Sequence, residues 1–461
     1  MSTLRGLLDT ARSALLAHQM ALNVTGHNVA NVSTEGYTRQ RLDLRARAGS
    51  DQRPAGIGAG VEALGVERLR VESFERSFHA ENSGLGASEQ KSRLLAGVEA
   101  VLGEPGDAGV GQALDRFWSA WADLGNEPAE ESYRRAVVEA GARLAGRLNQ
   151  LDGQLQAQRL DINLEVERIA AQVGDKAAQV AELSRRIQAA ELDGGTASDL
   201  RDLRGLLVDE LSRLVDLSAG EDAQGVFRVW VGNRALVDGG RAAGLVLTRE
   251  DDGSGTPLAR LSWSDTGREL AVSAGELAGA LETRDRLLPA RMAELDALAE
   301  ALVERVNGLH RAGVDLAGRP GHDFFDGAGG GARGIALSRW VLEDPARVAA
   351  SADGGVGNGE QATAIAQLAA QGLAELSGLS LGEAWGSLVS QCGAETARAD
   401  AELAAQQSFV AELDTRRQAV AGVNLDEELT LMMEQEQAYQ AAARVVTTAN
   451  ALLQEVLDLV S

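Results

Sequence analysis

Three asparagines follow one another at helical spacing in an otherwise apolar N-terminal segment. Asn23, Asn28 and Asn31 lie among alanines and valines in LNVTGHNVANVSTEGY, with Gly26 between the first two. An amide side chain has both donor and acceptor atoms, so it can hydrogen-bond inside a crowded helical layer where Gly26 permits close approach. The spacing therefore predicts polar bonding between packed helices, followed by a sharp stop at Gly36, which suits a left-handed C-terminal position.

Residue types that support catalysis are present, but their spacing matches no catalytic motif. The five histidines form no HExxH pair, and His322–Asp323 lies in a glycine-rich connection where a turn is the better interpretation. Neither Lys91 nor Lys176 follows a glycine, which excludes a P-loop. Carboxylates are abundant enough for a paired-acid glycosidase, yet only 3% of residues are aromatic and could line a sugar cleft. We expect no enzyme activity, no cofactor and no metal site.

The charge of the chain argues against two classes of partner. The 461 residues include 44 lysines and arginines against 68 aspartates and glutamates, a formal net charge of -24. Such a chain repels nucleic-acid phosphates and anionic lipids, so we expect neither nucleic acid nor membrane as partner. No apolar run approaches ~18 residues, and Asp9 and Arg12 interrupt any signal peptide. The single cysteine, Cys392, excludes an intrachain disulfide.

Two heptad seams, one at each end of the chain, provide the helices that would position the asparagines. The large apolar members of the N-terminal seam are Leu4, Leu8, Leu15, Leu22, Val29 and Val32. Those of the C-terminal seam are Leu425, Leu429, Met432, Tyr439, Val446, Leu453 and Leu457. Steps of four and three residues are typical of a helix that packs against another helix. Because further apolar residues widen the first helix, a bare pair would stay partly uncovered, and we expect these residues to form an assembly interface.

Helices and one hairpin are predicted between the seams. The segments 37–47 and 60–71 alternate in polarity and predict two strands around a turn-rich stretch. Helical periodicity resumes at Ser88 and includes a long coiled-coil segment from about Glu130 to Glu191, then a helix at about 198–215.

A β-rich insert interrupts this helical pattern. GVFRVWVGNRALVDG predicts a hairpin that turns at Gly232–Asn233, and GLVLTRE, LARLSWS and ELAVS predict further strands. Helices return from Glu276, kink or restart at Pro289, and form another block at about 358–420. The last helix begins with a capping box, in which Asn424 is the N-cap and Glu427 the partner.

The sequence thus predicts a mainly α fold. It combines paired N- and C-terminal heptad helices and a long-helix coiled-coil bundle with a small β-rich insert domain and a short β-hairpin after the first helix. Three domains are expected: a terminal helical domain of 1–36 with 424–461, a helical-bundle domain of 37–217 with 274–423 that includes the hairpin 37–71, and a β-rich outer domain of 218–273.

One short motif carries a family resemblance. Asn28, Asn31, Thr34, Gly36 and Tyr37 match the Asn-x-x-Asn-x-x-Thr-x-Gly-Tyr signature of bacterial flagellar axial proteins. The TRQ continuation, the segment HRAGVDLAGRPGHDFF and the last helix from GVNLDEE onward resemble the hook-associated protein 1 family. The resemblance is strong over the first ~45 and last ~40 residues. Glu35 stands where many relatives have proline, and the short chain leaves room for one small β domain rather than two.

The resemblance implies a structural adaptor that joins hook to filament. Its members are exported unfolded by the flagellar type III pathway, so this chain would be cytoplasmic before export and extracellular afterwards. The terminal helices would line the inner tube of a ring-like junction zone formed by self-assembly. Expected partners are hook protein, hook-associated protein 3 and a cytoplasmic export chaperone on the C-terminal helix. Two alternatives stay open: another axial protein, such as hook or distal rod, and a cytoplasmic coiled-coil scaffold.

Overall fold

Long helices form most of the protein. The computed structural model describes residues 2–48, 58–103, 109–192, 195–251, 256–327 and 330–458. The helices in chain order are α1 (Ser2–Ala30), α2 (Glu72–Leu102), α3 (Val110–Asn126), α4 (Glu131–Glu191), α5 (Ser198–Leu214), α6 (Glu276–Glu282), α7 (Leu288–Ala312), α8 (Gly331–Gly334), α9 (Arg339–Glu343), α10 (Glu360–Gln367), α11 (Leu381–Ala421) and α12 (Leu425–Asp458). None of these described helices has the length and apolarity to cross a lipid bilayer.

The strands are short and pair only in antiparallel sheets within the described chain. They are β1 (Gln40–Ala46), β2 (Val61–Arg68), β3 (Ser218–Glu221), β4 (Phe227–Val231), β5 (Arg234–Asp238), β6 (Arg241–Ala242), β7 (Leu245–Asp251), β8 (Pro257–Trp263), β9 (Phe325–Asp326) and β10 (Ala336–Leu337). One sheet has the order β3-β4-β5-β6, and the pairs β1-β2, β7-β8 and β9-β10 form three two-stranded sheets. The predicted mainly α fold with a small β insert is therefore confirmed, while the proposed domain boundaries stay a prediction.

The two terminal helices pack against each other. Asn28 near the end of α1 contacts Glu428 at the start of α12, and His18 further back contacts Gln435 further on, so the helices run antiparallel. The hairpin β1-β2 packs on α1, with Gln40 opposite Arg68 in register. The terminal helices and this hairpin form one unit, which we call the terminal unit.

The remaining helices enclose a continuous apolar core, the body. Its central helix α4 has 61 residues, about 90 Å at ~1.5 Å per residue. The predicted coiled-coil leucines Leu144, Leu148, Leu151 and Leu155 are buried in this core. Helices α3, α5 and α7 pack on α4, while α2 packs along α11.

Helix α2 begins at Glu72, so the predicted start at Ser88 is wrong. The helix includes Gly84 and Gly86, although glycine has a low helix propensity. Gly86 is required because a Cβ there would overlap the backbone carbonyl oxygen of Arg213, at the end of α5. Close packing of two helices therefore outweighs local propensity.

The predicted kink or restart at Pro289 lies at a π-helical turn, after which α7 begins at Leu288. Residues Thr283–Leu287 form this turn between α6 and α7. Proline has no N–H, and its ring would collide with the carbonyl group of residue 285 in a regular α-helix. The wider turn separates these groups and lets the helix continue to Ala312.

Two further predictions need correction. ELAVS forms only a single bridge, between Glu269 and Ser262, because Ser273 donates its N–H and hydroxyl to the Asp216 carboxylate at the end of α5. These bonds draw the segment away from the sheet.

The block at about 358–420 is two helices, α10 and α11, separated by residues 368–380. Ser377 adopts a left-handed φ of 59°, and Ser380 begins α11 with a capping box.

Candidate assembly site at the terminal helices

Asn28 is the buried centre of the motif. Its side chain is 1% exposed. The amide nitrogen donates to the Gln40 carbonyl oxygen at 2.9 Å and to Glu428 Oε2 at 3.0 Å. The amide oxygen accepts the Gln40 N–H at 3.0 Å and the Tyr37 hydroxyl at 2.9 Å. Two donors and two accepting lone pairs are the full capacity of an asparagine, so every polar group of this side chain is satisfied.

The rest of the motif closes the turn after α1. Asn31 Nδ2 donates to the His27 carbonyl oxygen at 3.0 Å, and Asn31 Oδ1 accepts from the Thr34 hydroxyl at 3.1 Å. Backbone bonds from Thr34 to Asn31 and from Tyr37 to Thr34 complete the turn. Gly36 has a φ of 75°, as its left-handed assignment predicted, but α1 already ends at Ala30. The glycine therefore shapes the turn rather than capping the helix.

Tyr37 links the motif to the body. Its hydroxyl lies 3.0 Å from His27 Nδ1, and His27 Nε2 lies 4.0 Å from Asp199 Oδ2 on α5. Burial, followed by the nearby carboxylates of Asp202, Asp199 and Glu428, raises the pKa of Tyr37. The phenol thus stays protonated and keeps donating to the Asn28 oxygen.

A buried ion pair joins the turn to the start of α12. Glu428 is 1% exposed, and its Oε1 accepts from Arg39 Nε at 2.6 Å. Arg39 Nη1 also donates to the exposed Glu427 carboxylate at 2.9 Å. The predicted capping box is therefore half formed. Asn424 Oδ1 accepts the Asp426 N–H at 3.0 Å and the Glu427 N–H at 3.4 Å, but the Glu427 carboxylate binds Arg39 instead of returning to the N-cap.

Backbone and carboxylate bonds fix this unit to the body. The Arg39 N–H donates to the Ala421 carbonyl oxygen at 2.7 Å, where α11 ends. Asp202 on α5 accepts from the Thr38 N–H at 3.1 Å and from Arg68 Nε at 2.9 Å. The chain thus enters and leaves the body through one hydrogen-bonded junction.

The sequence motif did not identify Arg39, Glu428 or Asp202. A signal for Glu428 exists: it lies three residues after Leu425 and four before Met432, at a heptad position that an apolar residue would normally occupy. Such a charge requires a buried partner. Of the three predicted asparagines, Asn28 is buried and Asn31 half-buried, whereas Asn23 is exposed.

Alanines occupy most of the buried positions on the two terminal helices. These buried alanines are Ala11, Ala17, Ala21, Ala442 and Ala449. Alanines at the contact permit a short distance between the helix axes. The larger seam residues that the structure describes are less buried than these alanines.

Most of the predicted interface residues are incompletely covered within one chain. Half-buried side chains are those of Leu4, Leu8, Leu15, Leu22, Val29, Met432, Tyr439, Val446 and Leu453. The exposed ones are Val32, Leu425 and Leu429. Leu457 belongs to α12, but its side chain lies outside the described residues. Their role in assembly stays a prediction.

Further large apolar side chains face solvent on both helices. On α1, Leu16 is 54% exposed, and Met20, one turn later, is also exposed. On α12, Met433 is 58% exposed and continues the row formed by Leu425 and Leu429. Exposed apolar rows of this kind mark interaction sites.

Family models match both the body and the two ends. Residues 95–325 match the flagellar hook-associated protein FlgK helical domain. Residues 418–459 match the flagellar basal body rod FlgEFG protein C-terminal model, and residues 8–38 match the flagella basal body rod protein model. The paired terminal helices and their motif therefore define an axial protein of the bacterial flagellum.

Whole-chain relatives narrow this class. Flagellar hook-associated protein 1 of Bacillus subtilis (strain 168) is 30% identical over 500 residues, covering 99% of this chain and 98% of the relative. The protein of the same name from Escherichia coli (strain K12) is 25% identical over 549 residues, covering 98% and 99%. The chain belongs to the flagellar hook-associated protein 1 family.

A solved structure has the same fold. The flagellar hook junction protein FlgK from Burkholderia pseudomallei matches with a TM-score of 0.66 and 15% sequence identity. The match covers 75% of this chain and 100% of the solved chain. At this identity the match supports the fold.

Proposed function

We propose that this chain is a structural adaptor at the junction between the flagellar hook and filament. Family membership supports this role, since the relatives are named hook-associated protein 1 and the solved relative is described as a hook junction protein. The adaptor would act by packing rather than by catalysis.

One observation carries the proposal: within one chain the terminal helices bury several alanines and the polar groups around Asn28, and they leave apolar rows uncovered. Leu16 and Met20 on α1, and Leu429 and Met433 on α12, lie on surfaces that nothing in the described chain covers. Burial of a large apolar side chain provides about 1.5–3 kcal/mol. Several such side chains per copy would give neighbouring copies a substantial driving force to pack together.

Copies would assemble through these surfaces into a ring-like zone. Because the exposed rows lie on two different helices, a row on one copy can meet a different row on the next. Contacts of that heterologous kind propagate around a ring. Hook protein would adjoin this zone on one side and hook-associated protein 3 on the other.

Export and location follow from the same assignment. The chain would leave the cytoplasm through the flagellar type III pathway and act outside the cell. A cytoplasmic chaperone would cover the exposed apolar row of α12 before export, since such a row promotes aggregation when uncovered.

Assembly on isolated hooks tests the proposal. Purified wild-type protein should bind the outer ends of hook–basal bodies and then permit filament growth, as followed by electron microscopy. We expect Met433→Ser and Leu16→Ser to keep the circular dichroism spectrum of the wild type but to lose this binding. Leu164→Ser is the matched control, because Leu164 is also 58% exposed but lies on α4 in the body. Normal binding by both terminal variants would refute the proposed surfaces.

A second candidate is a place in the rod or hook. The matches of 8–38 and 418–459 to basal body rod models favour it, because rod proteins share these terminal elements. Antibody labelling of isolated hook–basal bodies separates the two: label at the distal hook end supports the junction, and label within the rod supports the alternative. Family membership disfavours the third interpretation, a cytoplasmic coiled-coil scaffold.

A further inference from the structure

Glu75, His79 and Asp209 bring three metal-ligating groups together in the body. Glu75 and His79 lie four residues apart on α2, which places both side chains on one face of the helix. Asp209 projects from α5 toward them. One ligand atom from each side chain lies within 4.8 Å of the other two.

Two arginines bind the carboxylates of Glu75 and Asp209, and each arginine uses one oxygen of its carboxylate. Arg417 Nη1 donates to Asp209 Oδ2 at 2.6 Å, and Arg70 Nη2 donates to Glu75 Oε2 at 2.7 Å. Arg417 Nη1 also lies 3.8 Å from Glu75 Oε2. Asp209 Oδ1 and Glu75 Oε1 stay outside these ion pairs. Hydrogen bonds to the second oxygen of a carboxylate are the usual support of a metal ligand.

The histidine faces the free oxygen of Asp209. His79 Nε2 lies 2.9 Å from Asp209 Oδ1, and the side chain is 6% exposed. His79 Nδ1 is buried and has no hydrogen-bond partner within the described part of the chain. Among the described residues, Asp209 is thus the hydrogen-bond partner of this imidazole, which also packs edge-on against Phe78 and presents Nε2 to the two carboxylates.

The cluster is open to solvent on one side. Glu75 and Asp209 line a cleft of about 630 Å³, together with the turn after α1 and the end of α11. An ion can enter from this cleft, and water can fill the coordination positions that the three side chains leave open.

We propose that Glu75, His79 and Asp209 bind a divalent transition metal ion of the Zn²⁺ class. One imidazole nitrogen and two carboxylate oxygens form a donor set that suits Zn²⁺, with bonds of about 2.0–2.2 Å. Tetrahedral bonds of this length place the ligand atoms roughly 3.4 Å apart. His79 Nε2 and Asp209 Oδ1 would therefore separate slightly from 2.9 Å, while the Glu75 carboxylate would move within the 4.8 Å spacing through its side-chain torsions. The ion takes the place of the proton shared by His79 Nε2 and Asp209 Oδ1, and this proton leaves to solvent. The bound ion ties α2 to α5 beside the junction with the terminal unit.

Metal titration of the purified full-length chain tests the site. After treatment with a chelator and its removal, Zn²⁺ is titrated by calorimetry and Co²⁺ by visible absorption. We expect one saturable site, a Co²⁺ spectrum of low coordination number and a higher thermal unfolding midpoint with Zn²⁺. His79→Gln and Glu75→Gln should each weaken binding by at least about tenfold.

His322→Gln is the matched control. His322 is exposed and lies beside Asp323, so it reports weak surface binding by an acidic chain. Retained binding in this variant supports the assignment. If wild type, His79→Gln and Glu75→Gln bind Zn²⁺ equally, or no saturable site exists, the cluster is an ion-pair network only. The glutamine of Glu75→Gln keeps a side-chain oxygen that accepts from Arg70, so we expect this variant to fold. Its Zn²⁺ affinity therefore decides the outcome if His79→Gln does not fold.

Discussion

Asn28 and Gln40 are joined by two hydrogen bonds. The asparagine side chain pairs with the Gln40 backbone N–H and carbonyl group, as the backbone of a neighbouring strand would. The Asn28 amide donates to the Gln40 carbonyl oxygen at 2.9 Å and accepts the Gln40 N–H at 3.0 Å. The first residue of β1 is thus paired by a side chain of α1. This arrangement sets the angle at which the chain leaves the helix and starts the hairpin.

Asn28→Ala should destabilise the terminal unit. The substitution leaves buried polar groups of Gln40 and Glu428 without partners, each at a cost of about 1–3 kcal/mol. Hydrogen exchange measured by mass spectrometry should show faster exchange in β1 and the first turn of α12. Asn23→Ala is the control, because Asn23 is exposed on the same helix and its loss should change nothing. Equal protection in both variants would contradict the assigned role of Asn28.

Glu428→Gln should cost far more than Glu427→Gln, although both carboxylates contact Arg39. Glu428 is buried, and removal of one partner of a buried ion pair typically costs about 3–5 kcal/mol. The Glu427 side chain is mostly exposed, so its pair is worth about 0–1 kcal/mol. Limited proteolysis at the start of α12 compares the variants. Similar cleavage rates in the two variants would show that Arg39 does not secure α12.

Local periodicity predicted the terminal helices, but not the side chains that hold them together. A heptad pattern identifies the face of a helix to within about one residue. Ala21 is buried, whereas Leu22, the predicted seam residue one position later, is half-buried. Small side chains allow closer approach than leucines, and this preference depends on the partner helix. The motif identified Asn28, but its hydrogen-bond partners Gln40 and Glu428 could be identified only from the folded structure.

Tertiary contacts explain the errors in the body in the same way. Helix α2 begins at Glu72, well before the predicted Ser88, and it includes Gly84 and Gly86, where the helix packs closely against other elements. The ELAVS segment has strand propensity, but Asp216 holds Ser273 outside the sheet. Each error occurs where a residue distant in sequence overrides a local preference.

Two glycines in helices should respond to alanine in opposite directions. At Gly86 a new Cβ would overlap the Arg213 carbonyl oxygen, so Gly86→Ala should separate α2 from α5 and destabilise the body by several kcal/mol. At Gly153 on α4 nothing lies within 4 Å of the added Cβ. Gly153→Ala should therefore stabilise the protein by up to about 1 kcal/mol through helix propensity. Urea unfolding measures both, and a stable Gly86→Ala variant would refute the close approach.

The stability of the body should decrease as the pH decreases, because His310 is held neutral in the folded protein. This side chain is fully buried. Its Nδ1–H donates to the His322 carbonyl oxygen at 2.5 Å, and its Nε2 accepts the Ala349 N–H at 2.9 Å. Both nitrogens are thus satisfied only in the neutral ring. Burial, opposed in part by the bond to His322, lowers the pKa of His310 from its ordinary 6.5 to about 4.

A folded-state pKa below the unfolded one means that the unfolded chain binds the proton more tightly. The stabilisation from neutral His310 is therefore complete above pH 6.5 and is lost as the pH falls from about 6.5 to about 4, a change of about 3 kcal/mol. The difference in unfolding free energy between wild type and His310→Gln isolates this contribution from the carboxylates that titrate in both. That difference should shrink by about 2–3 kcal/mol between pH 7.5 and pH 4.5. If the difference in unfolding free energy between wild type and His310→Gln stays constant with pH, the buried imidazole is not held neutral by the fold.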